Sequence, residues 1–294
     1  MAEFKAPAIP FAAYDFFGYL LPGVFFVAIF IFEYDIGKAL TFYLDHGRSF
    51  DNLSKDAELY KLPYLMKFLA WDQFPSDFKV VPFILLLIAC YLLGHIIAAL
   101  SSTVIEKFTV SKFLGYPSNN LFEILQDPPR KFGFFGRMAR KNAARYCQPF
   151  DAAFVAKFKS AIDERFDYEV GYKDYYWLSF ADIVRYLPAA YQRTMHFVSL
   201  YGFTRNTCAA FLLYVPLRLF TKLFYLILDV PFAMHATNWF ILGAYFVIGL
   251  FLFASYLKHY RRQTIELFFA FYALHTHNIK VEGGAAVGTD TLSS

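Results

Sequence analysis

Long stretches without a charged residue set the pattern of this chain. Phe16 to Phe32 is an uncharged run of 17 residues, Val80 to Leu100 one of 21 and Trp239 to Leu257 one of 19. Each is close to the roughly 20 residues that cross about 30 Å of hydrocarbon as a helix. Thr207 to Leu228 is long enough to be a fourth, although Pro216, Arg218 and Lys222 interrupt its second half. Counting it places both chain ends on one side of the bilayer and gives the last run a partner for its return. The pattern therefore predicts an all-α fold: a four-span transmembrane helical bundle with a helical cytoplasmic domain between spans two and three. Pro22 and Gly23 in the first span and Pro216 in the third are expected to kink their helices, because proline removes a backbone donor and clashes with the preceding turn. Asp15, directly before the first run, is placed to cap it.

The polar segments carry shorter helical signals. In the loop 33–79, Leu59, Leu62, Leu65, Met66 and Leu69 follow a helical period, and Trp71 and Phe74 before the second span suit an interfacial aromatic belt. Between spans two and three, Phe150, Phe154, Phe158, Ile162 and Phe166 recur every four residues around Asp151, a ready N-cap, and a second stripe runs through Trp177, Phe180, Val184 and Leu187. These stripes could pack on each other, on the neighbouring basic segment or on a second subunit. From Lys258 to His277 the last span continues as a helix, whose Phe268, Phe269, Phe271, Tyr272 and Leu274 are expected to pack on the loop domain. The organisation expected is thus 1–102 for the first helix pair with its outer loop, 103–206 for the cytoplasmic domain, 207–257 for the second pair and 258–282 for a cytoplasmic helix. Residues 283–294 lack the apolar content to fold.

Composition supports lipid as the solvent. Hydrophobic residues make up 58% of the 294 and aromatic ones 21%, against roughly 45–50% apolar in soluble domains. Charge gives the orientation: residues 33–79 hold 6 Lys/Arg against 8 Asp/Glu, and residues 103–195 hold 14 against 10. Basic residues stay on the cytoplasmic side, so the longer loop and both termini are assigned to the cytoplasm. Lys107, Lys112, Arg193, Arg205, Lys258, Arg261 and Arg262, all close to span ends, agree. Glu3, Lys5 and Asp15 before the first run, with no small-residue cleavage site, predict that it is retained rather than removed as a signal peptide. Cys90, Cys147 and Cys208 are too scattered for a disulfide framework.

Candidate chemistry is sparse. There is no G-x-S-x-G elbow, Gly-rich phosphate loop, H-E-x-x-H or paired C-x-x-C, so no catalytic residue, cofactor or enzyme activity is expected. His275 and His277 have no further ligands nearby, and no metal is expected. Arg130, Lys131, Arg137, Arg140, Lys141 and Arg145 form a basic segment interleaved with Phe132, Phe134, Phe135 and Met138. Such a segment suits anionic headgroups, each charge contributing about 1 kcal/mol near the surface, or a cytoplasmic partner protein. Nucleic acid is less favoured, and enforcing topology is the plain alternative. Arg218 and Lys222, four apart on one helix face, either line a pore or snorkel to the outer interface beside Asp229. His95 is an intramembrane ionisable group expected to hydrogen-bond a neighbouring helix, with Glu106 three turns further on nearly the same face. Gly243 and Gly249 would permit close helix contacts.

The run Tyr14-Asp15-Phe16-Phe17-Gly18-Tyr19-Leu20-Leu21-Pro22-Gly23 resembles the opening of bacterial multi-pass inner-membrane proteins of uncharacterised function with a D-F-x-G-Y-L-x-P-G first span. Tyr91-Leu92-Leu93-Gly94-His95, Phe203-Thr204-Arg205-Asn206, and Tyr260-Arg261-Arg262 with Glu266 add to the likeness. Proteins of this look often accompany anti-phage defence genes. The resemblance implies a membrane effector triggered by a cytoplasmic sensor, that is, a homo-oligomer in the bacterial inner membrane that alters permeability on a cytoplasmic signal. The competing expectation is a non-conducting anchor for a partner protein.

Overall fold

A computed structural model describes residues 15–29, 80–122, 141–227 and 236–276. Among them every regular element is helical. Helix α1 covers Phe16–Ile29 and opens with a π-helical stretch over Phe16–Leu20. Helix α2 (Val80–Ser101) passes directly into a second π-helical stretch, Ser102–Leu114. Two short helices, α3 (Pro117–Leu121) and α4 (Ala144–Cys147), precede α5 (Ala152–Phe166) and α6 (Tyr175–Tyr186). Two long ones follow, α7 (Pro188–Ile227) and α8 (Ala236–Thr276).

Two described helices, Phe83–Leu121 and Trp239–Thr276, are long and apolar enough to cross a bilayer, and only 22% and 28% of their most apolar windows are buried. A core helix of a soluble globule would be buried on most sides, so the outward apolar surface of these two suits lipid. The chain divides into two compact units. The first, here the span unit, holds α1, α2 with its continuation to Thr109, Ser199–Ile227 of α7 and Ala236–Leu257 of α8. The second, the aromatic unit, takes residues from Val110 to Val198 and joins them to α8 from Lys258 onward.

In the span unit, α1 and α2 meet backbone to backbone. A Cβ at Gly23 would collide with the Cys90 carbonyl and stand 3.0 Å from the Gly94 nitrogen, and one at Gly94 would collide with the Tyr19 carbonyl. Only glycine allows helices this close, and the contact substitutes dispersion for the hydrophobic force that lipid does not provide. Gly249 of α8 likewise receives Leu212 of α7, and the Gly249 carbonyl accepts from Cys208 Sγ at 3.2 Å. Gly243, expected to do the same, faces open space. Asp15 does not cap α1. It is itself helical, at φ −65° and ψ −41°, and its side chain bonds none of the free N–H groups, because a cap needs an extended backbone to turn the carboxylate back onto the first turn.

The aromatic unit is built in the opposite sense. Asp151 caps α5 by accepting from the Ala153 N–H at 2.8 Å, which launches the predicted stripe inward: Phe158 and Ile162 are fully buried, with Phe150, Phe154 and Phe166 packed around them. Their partners are Leu121, Phe122, Tyr175 and Ile183 together with Leu267, Phe268 and Phe271 of α8. Phe158 makes ring contacts with Phe122, Tyr175, Phe268 and Phe271 at centroid separations of 5.1–5.6 Å, a geometry favourable beyond area burial alone. Of the stripe expected on α6, Phe180, Val184 and Leu187 are partly buried and pack against this core. Tyr175, Ser179, Asp182 and Ile183 form the buried face of the helix, while Trp177 is 68% exposed. Asp182, on that buried face, meets Arg165 and His275.

Candidate functional site

The span unit buries a polar junction where its two π-helical stretches approach α7. Pro22 has no N–H to give the Gly18 carbonyl four residues before it. That carbonyl instead accepts from Asn206 Nδ2 of α7 at 2.7 Å. The other end of the same amide, Asn206 Oδ1, accepts from the Ser101 hydroxyl at the end of α2 and from Arg205 Nε at 3.1 Å. Arg205 Nη1 then reaches Glu106 Oε2 in the second π-helical stretch. Ser101 and Asn206 are buried, and the Arg205 and Glu106 side chains retain 12% and 23% exposure. A single asparagine thus joins α1, α2 and α7. In such surroundings each polar atom must be matched, since an unpaired one costs its full desolvation. The ion pair is similarly conditional: together the charges are tolerated, while either alone would be strongly destabilising.

The π-helical turns also account for where Glu106 points. Bonding five residues back instead of four widens the helix from Ser102 onward and rotates later side chains relative to an α-helical register. Glu106 is consequently turned inward to Arg205 while His95 stands on an exposed face, so the two do not share a side as expected. The His95 ring stacks on Tyr19 at 3.9 Å and meets the edge of Tyr91 at 4.6 Å. Phe203 contacts Phe17 and Phe25 of α1. The stretches around Gly18, Gly94 and Asn206 therefore converge in this unit.

Arg218 and Lys222 lie on α7 beyond Pro216, through which the helix continues. Arg218 is half-buried, and Lys222 places its ammonium 5.0 Å above the Trp239 ring of α8, a cation–π arrangement. Of the basic segment, Arg130, Lys131, Arg137 and Arg140 lie outside the described residues. Lys141 and Arg145 are exposed. The segment's end is held within the aromatic unit: the Tyr146 hydroxyl donates to the Gly115 carbonyl at 3.0 Å, and the Tyr146 carbonyl accepts from Arg261 at 2.7 Å. Burial lowers the Arg261 pKa from its ordinary value. Glu266 pairs with both Arg193 and Arg262.

A second polar group lies in the aromatic unit. Asp182 accepts from Arg165 Nε at 2.8 Å, and His275 Nε2 lies 2.9 Å from the same carboxylate. Burial depresses the His275 imidazole below its ordinary value. Arg165 acts in the same direction, and the Asp182 bond and charge offset them only in part. No group of three metal-ligating side chains occurs among the described residues.

Sequence reasoning missed Ser101, the role of Asn206 and the Glu106–Arg205 pair. One signal was present, since a proline four residues after a glycine inside an apolar run leaves a carbonyl in need of a donor. Comparison with family profiles, with curated proteins and with solved structures finds no match to this chain. The geometry alone therefore carries the functional reading.

Proposed function

We propose that the protein is a four-span inner-membrane effector. In this reading α1, α2, the second half of α7 and the first half of α8 cross the bilayer, and the aromatic unit with both termini lies in the cytoplasm. Copies associate through their spans, and a signal or partner protein received by the aromatic unit changes membrane permeability. One observation favours an effector over a passive anchor: the polar junction of Gly18, Ser101, Glu106, Arg205 and Asn206 inside the span unit. An anchor needs only apolar helices, whereas buried polar groups within spans are costly and mark pathways or switching elements, as π-helical turns frequently do. Helices α7 and α8 contribute to both units, which gives a cytoplasmic event a direct path to the junction.

A second reading, a non-conducting anchor, is favoured by the Lys222–Trp239 contact. A lysine over an indole near a span end is the arrangement of an interfacial anchor rather than of a pore lining. Membrane potential and dye leakage in cells expressing the protein with its neighbouring genes separate the two. Depolarisation in the parent, lost in Glu106→Gln with normal membrane insertion, supports the effector. A parent that never depolarises its host under any trigger leaves the anchor.

A further inference from the structure

One exposed face of α8 changes chemistry within a single turn. Phe251, Ala254, Lys258 and Arg262 are all exposed and follow one another at helical spacing, so apolar side chains give way to basic ones along the same side of the helix. One turn further on, the largely buried Glu266 holds two guanidiniums. Arg262 Nη2 reaches its Oε1 at 2.6 Å, and Arg193 Nε, from α7, reaches its Oε2 at 3.4 Å. Both arginines stay more than half exposed, and each keeps its other guanidinium nitrogens for a further acceptor. Burial lowers the His259 pKa, and the charges of Lys258 and His196 add to the shift, which brings these two groups to the same ring. Arg193, His196, Lys258 and Arg262, all within the aromatic unit, thus form a basic face shared by α7 and α8. A structural ion pair would need one arginine for Glu266, and membrane orientation needs only positive charge near a span end. Neither calls for two guanidiniums set side by side on one carboxylate.

The surplus of positive charge selects an anion, and the paired guanidiniums select its type, because arginine matches phosphate oxygens through parallel N–H donors. Position along α8 selects the source. Lys258 is the first charge after the 19 uncharged residues Trp239 to Leu257, where a helix leaving hydrocarbon enters the headgroup layer. The rise from Lys258 to Arg262 is about 6 Å along the helix, which matches the roughly 5–7 Å depth of one headgroup layer. Basic groups at that level meet the negative surface of the cytoplasmic leaflet. We propose that Arg193, Lys258 and Arg262 bind the phosphate of an anionic phospholipid headgroup, with His196 at the edge of the site. The bound headgroup ties α7 to α8 within the aromatic unit. This inference rests on the reading of α8 as a membrane span.

The test titrates full-length protein in detergent with fluorescent phosphatidylglycerol, using phosphatidylcholine and inorganic phosphate as competitors. The parent is expected to bind phosphatidylglycerol and to lose little of it to either competitor at equal concentration. Each surface charge contributes about fivefold in affinity, so Lys258→Gln should weaken binding about fivefold, and Arg193→Gln combined with Arg262→Gln about 25-fold. Lys258 is exposed and pairs with no carboxylate among the described residues, so its variant keeps the test decisive even where loss of both arginines unfolds the protein. Lys157 is the control: it is exposed on α5, whose Phe154 meets α8 at Phe269 and Tyr272, well beyond Arg262. Lys157→Gln should stay within about twofold of the parent, since salt screens a charge more than a Debye length away. Unchanged binding in Lys258→Gln, an equal loss in Lys157→Gln, or displacement by inorganic phosphate or phosphatidylcholine at equal concentration overturns the proposal. Retention in an alkali-washed membrane pellet is followed alongside: a retained chain that binds no phosphatidylglycerol sinks only this site, whereas a chain released in soluble form sinks the membrane reading as well.

Discussion

The two units of this protein solve the burial problem with opposite arrangements of the same residue types. The aromatic unit hides Phe158, Ile162, Phe268 and Phe271 completely and leaves Lys141, Arg145, Lys173 and Glu169 exposed, as expected when water is the alternative solvent. The span unit turns Phe240, Phe251, Leu92 and Ile96 outward and gathers Ser101, Arg205, Asn206 and Glu106 within. Apolar side chains gain little from burial when lipid is outside, so this unit relies on glycine-mediated close packing and matched polar groups. The comparison teaches that the contribution of a residue here depends on which unit holds it: a phenylalanine matters most in one and a glycine or asparagine in the other.

The comparison can be broken by substitution. The largest effect is expected from Gly23→Ala or Gly94→Ala, because the added Cβ meets backbone that cannot give way. Either should cost about 3 kcal/mol or more and abolish accumulation of folded protein in the membrane. Gly243→Ala, facing open space, should accumulate normally and melt in detergent at or slightly above the parent's temperature. Next is Phe158→Ala, with a loss of about 3–5 kcal/mol from the fully buried cluster. Phe251→Ala, 73% exposed on the span unit, should leave the melting temperature almost unchanged. Equal losses for the two phenylalanines would contradict the inside-out assignment.

Asn206→Ala should follow, at about 1–3 kcal/mol, because it strands the Gly18 carbonyl and removes an acceptor from Arg205 and Ser101. Asn206→Gln, with the same groups on a longer arm, tests whether position or chemistry matters. The smallest effect concerns pH. The folded pKa of His275 is depressed below its ordinary 6.5, so the unfolded chain takes up a proton there before the folded one does. Stability from this group is fully present above that value. It falls as pH drops through 6.5 toward the depressed folded pKa, below which the loss is complete. Thermal melts from pH 7.5 to 5 should show the decline, and His275→Gln should flatten it.

Legibility in the sequence followed the same division. The α5 stripe, its Asp151 cap and the helical continuation of α8 to Thr276 are local patterns, written at fixed spacing along one segment, and each is present. Of the α6 stripe, Phe180, Val184 and Leu187 pack on the core as expected while Trp177 is exposed, and the pairing of Asp182 with Arg165 and His275, 17 and 93 positions away, left no local pattern to read. The candidate site was legible only in pieces. Glu106 and Arg205 were visible as charges near span ends, but the ion pair between them joins residues 99 apart and required π-helical turns that no periodicity announced.

The sequence by itself determined that this chain is helical and that long apolar runs alternate with polar segments, because both properties depend on the spacing of residues within one helix. Tertiary structure alone decided which glycines are crossing points, which carbonyl needed the Asn206 amide and which charges are paired. Those outcomes depend on what a second helix places opposite each residue.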